Sequence, residues 1–210
     1  EDESRRRGAS EPHALRFHVG QDEVSFDDLI RGPVRFPGSQ IGDPVIVRAD
    51  GSPTYNFAVV VDDIGMKITH VIRGEDHISN TPRQILIYRA LAAEAPRFAH
   101  VPLVLGPDGS PLSKRHGATS VADFRRKGFL PEAMVNYLVM LGWAHPEGKE
   151  ILAVPGILEA FSLERVGRAG AMFDTRKLTW LNAHHLRAAA PARLAADCRT
   201  FLHSAGFIPS

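Results

Sequence analysis

Hydrophobic and polar positions along this chain change their period near its middle. Leu15-Arg16-Phe17-His18-Val19 alternates apolar with polar, Gly20-Gln21-Asp22-Glu23 interrupts the alternation, and Val24-Ser25-Phe26 resumes it, which predicts a β-hairpin. Residues 30–37 add a short extended piece, so the first forty residues are expected to be mostly β. Val45-Ile46-Val47-Arg48 reads as a short buried strand closed by the turn Asp50-Gly51. Between Ser52 and Asp63 two signals disagree. The β-branched run favours a strand, Ser52-Pro53 favours a helix start, and pattern alone leaves both open. Residues 68–72 predict a strand that runs into the polar loop Arg73-Gly74-Glu75-Asp76-His77. Thr81 is then expected to cap a helix with Pro82 in its first turn and Ile85, Tyr88, Leu91 and Ala92 on its buried face, ended by Pro96. A strand over 101–105 completes a βαβ unit, which implies a parallel sheet with ligands beyond the carboxyl ends of its strands. The loops 73–77 and 113–117 both leave such ends and are expected to face one crevice.

After Gly117 the spacing becomes helical. Ser120 with Asp123 forms a capping-box pattern, Gly128 is a stop, and Pro131 opens a helix whose stripe is Met134, Tyr137, Leu138 and Leu141, ending at Gly142. Further helices are expected over 156–161 and 174–180, and a last one from Pro191 carries Leu194, Cys198, Phe201 and Leu202 on one face. Residues 1–10 show no apolar period and are expected to be a loop or frayed end.

Composition narrows the function classes. The chain has 25 Lys+Arg against 24 Asp+Glu, so any nucleic-acid contact must come from local patches rather than a bulk field. Cys198 is the only cysteine, which excludes an intramolecular disulfide and a cysteine-rich zinc site and fits a reducing compartment. No pair among the ten histidines has zinc-ligand spacing with a third ligand nearby, and His184-His185 reads as a solvated helix end. No apolar run approaches the about 20 residues of a membrane span, and no signal-peptide core is present, so a soluble, cytoplasmic chain without a membrane partner is expected.

The candidate chemistry lies in Pro111-Leu112-Ser113-Lys114-Arg115-His116-Gly117, after the turn Gly106-Pro107-Asp108-Gly109-Ser110. Cationic side chains on a loop at a strand exit suit a polyanion, and Lys and Arg neutralise charge that develops during phosphoryl or nucleotidyl transfer. Taken alone, the loop reads more readily as a solvated basic turn, because short basic matches are common. Asp62-Asp63 has the form of a metal-binding carboxylate pair, and Arg125-Arg126-Lys127 either offsets a helix macrodipole or meets a nucleic-acid backbone.

Several of these stretches together resemble the bacterial glutamyl-tRNA synthetases, which are class I aminoacyl-tRNA synthetases. The matching runs are Ser52-Pro53-Thr54-Tyr55-Asn56-Phe57-Ala58, Val60-Val61-Asp62-Asp63, 68–77, Asn80-Thr81-Pro82-Arg83-Gln84, Leu112 to Gly117, Gly128-Phe129-Leu130-Pro131-Glu132-Ala133, and Asn136-Tyr137-Leu138 with Leu141-Gly142-Trp143. The resemblance covers roughly residues 15–185. It implies an α/β fold: the second half of a class I nucleotide-binding, Rossmann-like parallel-sheet domain, followed by an all-helical stem-contact domain. The implied segments are 1–44 as the remainder of an acceptor-end insertion, 45–118 as the catalytic half-domain, 119–188 as the stem-contact helices, and 189–210 as the start of an anticodon-binding region.

The resemblance implies ATP-dependent activation of L-glutamate and its transfer to tRNA-Glu, with Mg2+ accompanying ATP. Lys114 takes the role of stabilising the pentavalent phosphate, flanked by Ser113 and Arg115, while Asp76 and the Val104 backbone lie near ATP. Tyr55 and Arg73 line the glutamate pocket, with His77 as a further contact, and the alternative for Arg73 is a salt bridge to Glu75 or Asp76. The family usually has lysine at the first signature position, where this chain has Pro111. The same resemblance makes residues 57–61 helical and Asp62-Asp63 structural. No segment of the His-Ile-Gly-His type occurs in the sequence. The chain is therefore expected to be the middle of a ligase and inactive alone, with a non-catalytic tRNA-binding module as the alternative. A shorter paralogue acting on a modified tRNA base is disfavoured by the helices over 120–180.

Overall fold

The computed structural model describes residues 12–117 and 120–209, so the expected loop over residues 1–10 lies outside the described residues. The fold is mixed α/β with parallel strand pairing, and it divides into two compact units, Glu1–Pro102 and Leu103–Ser210.

In the first unit β1 (Leu15–Arg16) precedes β2 (Val24–Asp28) and β3 (Gly32–Phe36). The hairpin expected between 15–19 and 24–26 does not form. Strand β1 pairs instead with β4 (Val45–Val47), beyond the short helix α1 (Gly38–Ile41), and β2 pairs with β3 from Val24↔Phe36 to Asp28↔Gly32. Asp28 decides this: its Oδ1 accepts the N–H groups of Ile30 at 3.0 Å and Arg31 at 2.8 Å, closing the turn within one side chain.

Residues 55–65 form helix α2 (Tyr55–Gly65), against the local β-branched preference, because Val60 is fully buried against Ile87 and Tyr88. Asp63, near the end of α2, accepts the Tyr88 hydroxyl at 3.2 Å, a structural use of that carboxylate. Strand β5 (His70–Gly74) leads through a 3-10 turn (Glu75–Asn80) into α3 (Thr81–Ala90) and returns as β6 (Arg97–Val101), paired parallel with β5 throughout. The sheet order is β3-β2-β6-β5, so strands from both sides of residue 44 share one sheet. Thr81 is the first helical residue rather than the cap, and Leu91 and Ala92 lie exposed beyond the helix end.

The strand expected over 101–105 is two strands. Pro102 has no N–H to continue a ladder, so β6 stops at Val101, and β7 (Val104–Leu105) pairs parallel with β8 (Ala171–Met172) in the second unit. The 113–117 loop therefore does not leave the sheet that contains β5.

In the second unit α4 (Val121–Arg126) starts with the expected Ser120–Asp123 capping box. Helix α5 (Pro131–Val139) buries Met134 and Tyr137 with Phe124, Leu178 and Leu181, while Leu138 of the expected stripe is exposed. Helix α6 (Val154–Ala160) starts before the expected 156–161 segment and stops short of Phe161, α7 (Thr175–Ala188) runs on past the expected 174–180, and Asp174 caps α7 by accepting from the N–H of Arg176 at 2.8 Å. His185 is not merely solvated, since its Nε2 lies 3.1 Å from the buried Asn136 Oδ1. Helix α8 (Pro191–Ser204) buries no residue, so its face of Leu194, Cys198, Phe201 and Leu202 is amphipathic in sequence but open in the fold. Asn182 of α7 accepts the buried Leu130 N–H at 2.8 Å and donates to the Gly128 carbonyl at 3.2 Å, fixing the α4–α5 link.

Two stability measurements follow from these buried polar groups. Replacing Asn182 with alanine strands the Leu130 N–H, so urea unfolding should show a loss of about 1–3 kcal/mol at unchanged m-value; a loss below about 0.5 kcal/mol would show that water replaces the amide. His100, fully buried on β6, is held below its ordinary 6.5 by burial, against the pull of Asp28. The unfolded chain then takes up this proton at higher pH than the folded chain. Stability is full above 6.5 and falls as pH drops toward the folded value. Thermal midpoints should rise from about pH 5.5 to about pH 7.5, and His100→Gln should lessen that rise; an identical pH dependence in the variant would refute it.

Candidate active site

Arg73 sits near the carboxyl end of β5, where the sheet hands over to the 3-10 turn and α3. Neutral groups organise its guanidinium, among them the His77 carbonyl, which accepts from Nη2 at 3.4 Å. Its Nε donates to His100 Nε2 at 3.2 Å, and its Nη2 donates to Thr81 Oγ1 and to Gln84 Oε1, each at 2.8 Å. Gln84 is oriented in turn by donating from Nε2 to Asn56 Oδ1 at 3.0 Å. The Phe98 ring lies 5.7 Å from the guanidinium carbon. Among the described residues no carboxylate is ion-paired with Arg73. Glu75, one expected alternative partner, pairs with Arg31, and Asp76 lies 3.7 Å from His77 Nε2. Burial lowers the pKa of the guanidinium from its ordinary value, and the Tyr55 phenol, through its charge and a side-chain hydrogen bond, then Asp63 and Asp76 through space, oppose that shift.

A half-buried cation whose hydrogen-bond partners are neutral keeps its charge uncancelled. A buried charge costs several kcal/mol unless it is paired, so this arrangement is complementary to an anion. Tyr55, 51 % exposed at the start of α2, places its ring 5.9 Å from that of His77, whose Nδ1 lies 3.0 Å from Asn80 Nδ2. Tyr55, Arg73, Asp76 and His77 thus lie in one region of the first unit. Sequence pattern does not single out Asp28, His100, Thr81, Gln84 or Asn56 for this site. A signal was available for His100, a histidine inside the otherwise apolar run Phe98-Ala99-His100-Val101, because a polar group in a buried strand needs a built partner.

Val104, Ser113, Lys114 and Arg115 belong to the second unit. The Val104 carbonyl accepts the Leu112 N–H at 2.8 Å, so that backbone acceptor is used within the loop. Ser113 begins a 3-10 turn over Lys114–His116, with its N–H donating to His116 Nδ1 at 3.0 Å. One carboxylate gathers the rest. Asp108 lies 3.2 Å from His116 Nε2 and 3.4 Å from Arg115 Nη2, and Arg115 also donates to Ser110 Oγ at 2.6 Å. The Ser110 hydroxyl and N–H, then His116, hold the Asp108 carboxyl far below the usual range. Gly106 is required here, since a Cβ would stand 2.8 Å from the His116 ring. Lys114 is exposed and, among the described residues, has no side-chain partner. Among the described residues no cluster of three or more His, Cys, Asp or Glu could hold a metal ion, and no helix is long and apolar enough to cross a membrane.

Comparison with known proteins identifies the family. The glutamate–tRNA ligase of Synechococcus sp. (strain JA-3-3Ab) is 54 % identical over 195 residues, 92 % of this chain and 41 % of that protein. The one from Geobacter sulfurreducens is 52 % identical over 203 residues, 96 % of this chain and 43 % of that protein. The chain thus spans about two-fifths of the length of the curated relatives it matches. The crystal structure of glutamate-tRNA synthetase from Elizabethkingia anophelis superposes with a TM-score of 0.88 at 33 % identity, covering 100 % of this chain and 46 % of that one. A glutamate tRNA ligase from Elizabethkingia meningosepticum, in complex with its amino acid, matches with the same score. The family described as tRNA synthetases class I (E and Q), catalytic domain, matches residues 1–180, and the chain belongs to that family.

Proposed function

We propose that the protein carrying this chain is a glutamate–tRNA ligase that uses ATP, with Mg2+ on its phosphates, to activate L-glutamate and then transfers it to tRNA-Glu. The observation that carries the reading is Arg73, a half-buried guanidinium whose close partners are all neutral. A carboxylate there is bound by charge-assisted hydrogen bonds from the Nη1 end, beside the Tyr55 phenol and His77. The carboxylate held by Arg73 is a poor nucleophile, so a dicarboxylic amino acid gripped by its side chain leaves its α-carboxylate free to react. In the first step an α-carboxylate oxygen forms a bond to the α-phosphorus of ATP and the bond to pyrophosphate breaks. In the second, a ribose hydroxyl of tRNA attacks the activated carbonyl, releasing AMP.

Lys114 supplies a cation where charge builds on the transferring phosphorus. Its exposure, with no side-chain partner among the described residues, supports this role, because the cation is accessible to the nucleotide. Ser113, Arg115, Asp76 and the Val104 backbone complete the nucleotide contacts in this reading. Asp108 presently occupies Arg115 and His116 as an anion would, so phosphate oxygens are the natural competitors for those donors. The helices over 119–188 contact the tRNA stem, with Arg125 and Lys127 exposed at the end of α4 as phosphate contacts, and 189–210 begins an anticodon-binding region.

Exchange of labelled pyrophosphate into ATP, measured on the full-length protein carrying these residues with tRNA present, should depend on L-glutamate. Lys114→Ala should lower its kcat about 100-fold or more with the glutamate KM changed less than about threefold. Absence of glutamate-dependent exchange would overturn the ligase reading, and it would favour a non-catalytic tRNA-binding module if salt-dependent tRNA binding persisted. Replacing Arg125 and Lys127 with alanine should lower the salt slope of tRNA affinity by about one unit per lost phosphate contact; an unchanged slope would remove the patch from the interface.

A further inference from the structure

Behind Arg73 lies a buried acid–imidazole pair that the proposed reaction does not use. Asp28, at the end of β2, spends Oδ1 on the N–H groups of Ile30, Arg31 and His100, at 3.0, 2.8 and 3.2 Å. Its Oδ2 is 2.6 Å from His100 Nδ1, and both side chains are fully buried. Burial raises the Asp28 pKa, but the N–H of Arg31, the imidazole and the other amides more than offset it, so the carboxyl sits below its ordinary value and is ionised. An ionised carboxylate can only accept, which places the imidazole proton on Nδ1. His100 Nε2 is then a bare acceptor. It faces Arg73 Nε at 3.2 Å and Thr81 Oγ1 at 3.2 Å.

We propose that Asp28 and His100 are positioning residues for Arg73: Asp28 holds His100 in the Nδ1–H tautomer, whose Nε2 takes the Arg73 Nε–H and aims the Nη1 end at the substrate carboxylate. This rests on the reading of Arg73 as the glutamate contact. The chain order of hydrogen bonds is directional. Reversing the tautomer would set an N–H of His100 against the N–H of a cation, and the guanidinium would have to turn away. Protonating His100 would do the same and add a second positive charge 3.2 Å from the first. The groups around the imidazole are fixed from each neighbouring element. Arg31, from the β2–β3 turn, donates to the His100 carbonyl at 3.3 Å and is paired with Glu75, while His77 acts from the 3-10 turn. A neutral acceptor is therefore built behind Arg73 where a carboxylate would have cancelled the charge that the ligand needs.

Asp28→Asn preserves shape and the acceptor for the three backbone N–H groups, but its amide donates to His100 Nδ1 and moves the ring proton to Nε2. In the glutamate-dependent exchange assay on the full-length protein, Asp28→Asn should raise the KM for L-glutamate about 10–100-fold, as lost outer partners of a binding group do. The KM for ATP should stay within about threefold. His100→Gln, which can donate to Asp28 and accept from Arg73 through one amide, should keep the glutamate KM nearer the parent value than His100→Leu. Long-range proton–nitrogen correlation spectra of this chain should show His100 as the Nδ1–H tautomer near neutral pH, a readout that needs no variant to fold. A glutamate KM unchanged in Asp28→Asn, or kcat and both KM values moving together, would overturn the positioning role. So would an Nε2–H or doubly protonated His100 in the parent chain. Parent protein without glutamate-dependent exchange would instead overturn the ligase reading on which the proposal rests.

Discussion

One buried carboxylate sets much of the first unit. Asp28 closes the β2–β3 turn, ties β2 to the backbone of β6, and binds the His100 imidazole that backs Arg73. Removing a carboxylate from water costs several kcal/mol unless its oxygens are filled, and here four donors fill them. The same side chain thereby links strand pairing to the orientation of the candidate ligand-binding cation. A site built this way is rigid because its supports are shared with the sheet. It is also costly to alter, since a change at Asp28 acts on turn, ladder and site together.

The two candidate groups solve the problem of storing positive charge differently. Arg73 is half-buried, surrounded by neutral acceptors, and keeps its charge uncancelled. In the 113–117 loop, Arg115 and His116 are instead folded onto Asp108, while Lys114 is exposed to solvent. Solvent screens an exposed lysine, so it needs no internal partner, whereas a buried guanidinium needs its donors occupied. Exposed pairs such as Arg115 with Asp108 are worth little, which leaves that loop inexpensive to rearrange around an anion.

Local signals in the chain are legible where a few neighbouring residues decide the structure. The Ser120–Asp123 capping box, the Asp50-Gly51 turn and the proline-initiated helices at Pro131 and Pro191 all stand where spacing places them. The basic loop stands out by its charge at a strand exit, whereas Tyr55 and Arg73 stand out only through the family resemblance, and residues 1–180 match that family's catalytic domain. The failures are equally specific. The 15–19 alternation has the right period but the wrong partner, because strand pairing is decided by residues such as Asp28 and by the distant strand β4. The run to Leu105 is apolar throughout, yet Pro102 cuts its ladder and sends β7 to β8.

By itself, then, the sequence determined the α/β class, the family and the types of residue that carry charge, and a second half that is helical except for the short strand β8. Tertiary structure alone decided which polar groups face one another. That Arg73 meets His100, Thr81 and Gln84 rather than Glu75 or Asp76 depends on contacts between β5, β6 and α3. The reason is physical: helix and turn signals act over three or four residues, whereas a buried proton's position is set by whichever partner, here Asp28 at 72 residues' distance, is packed against it.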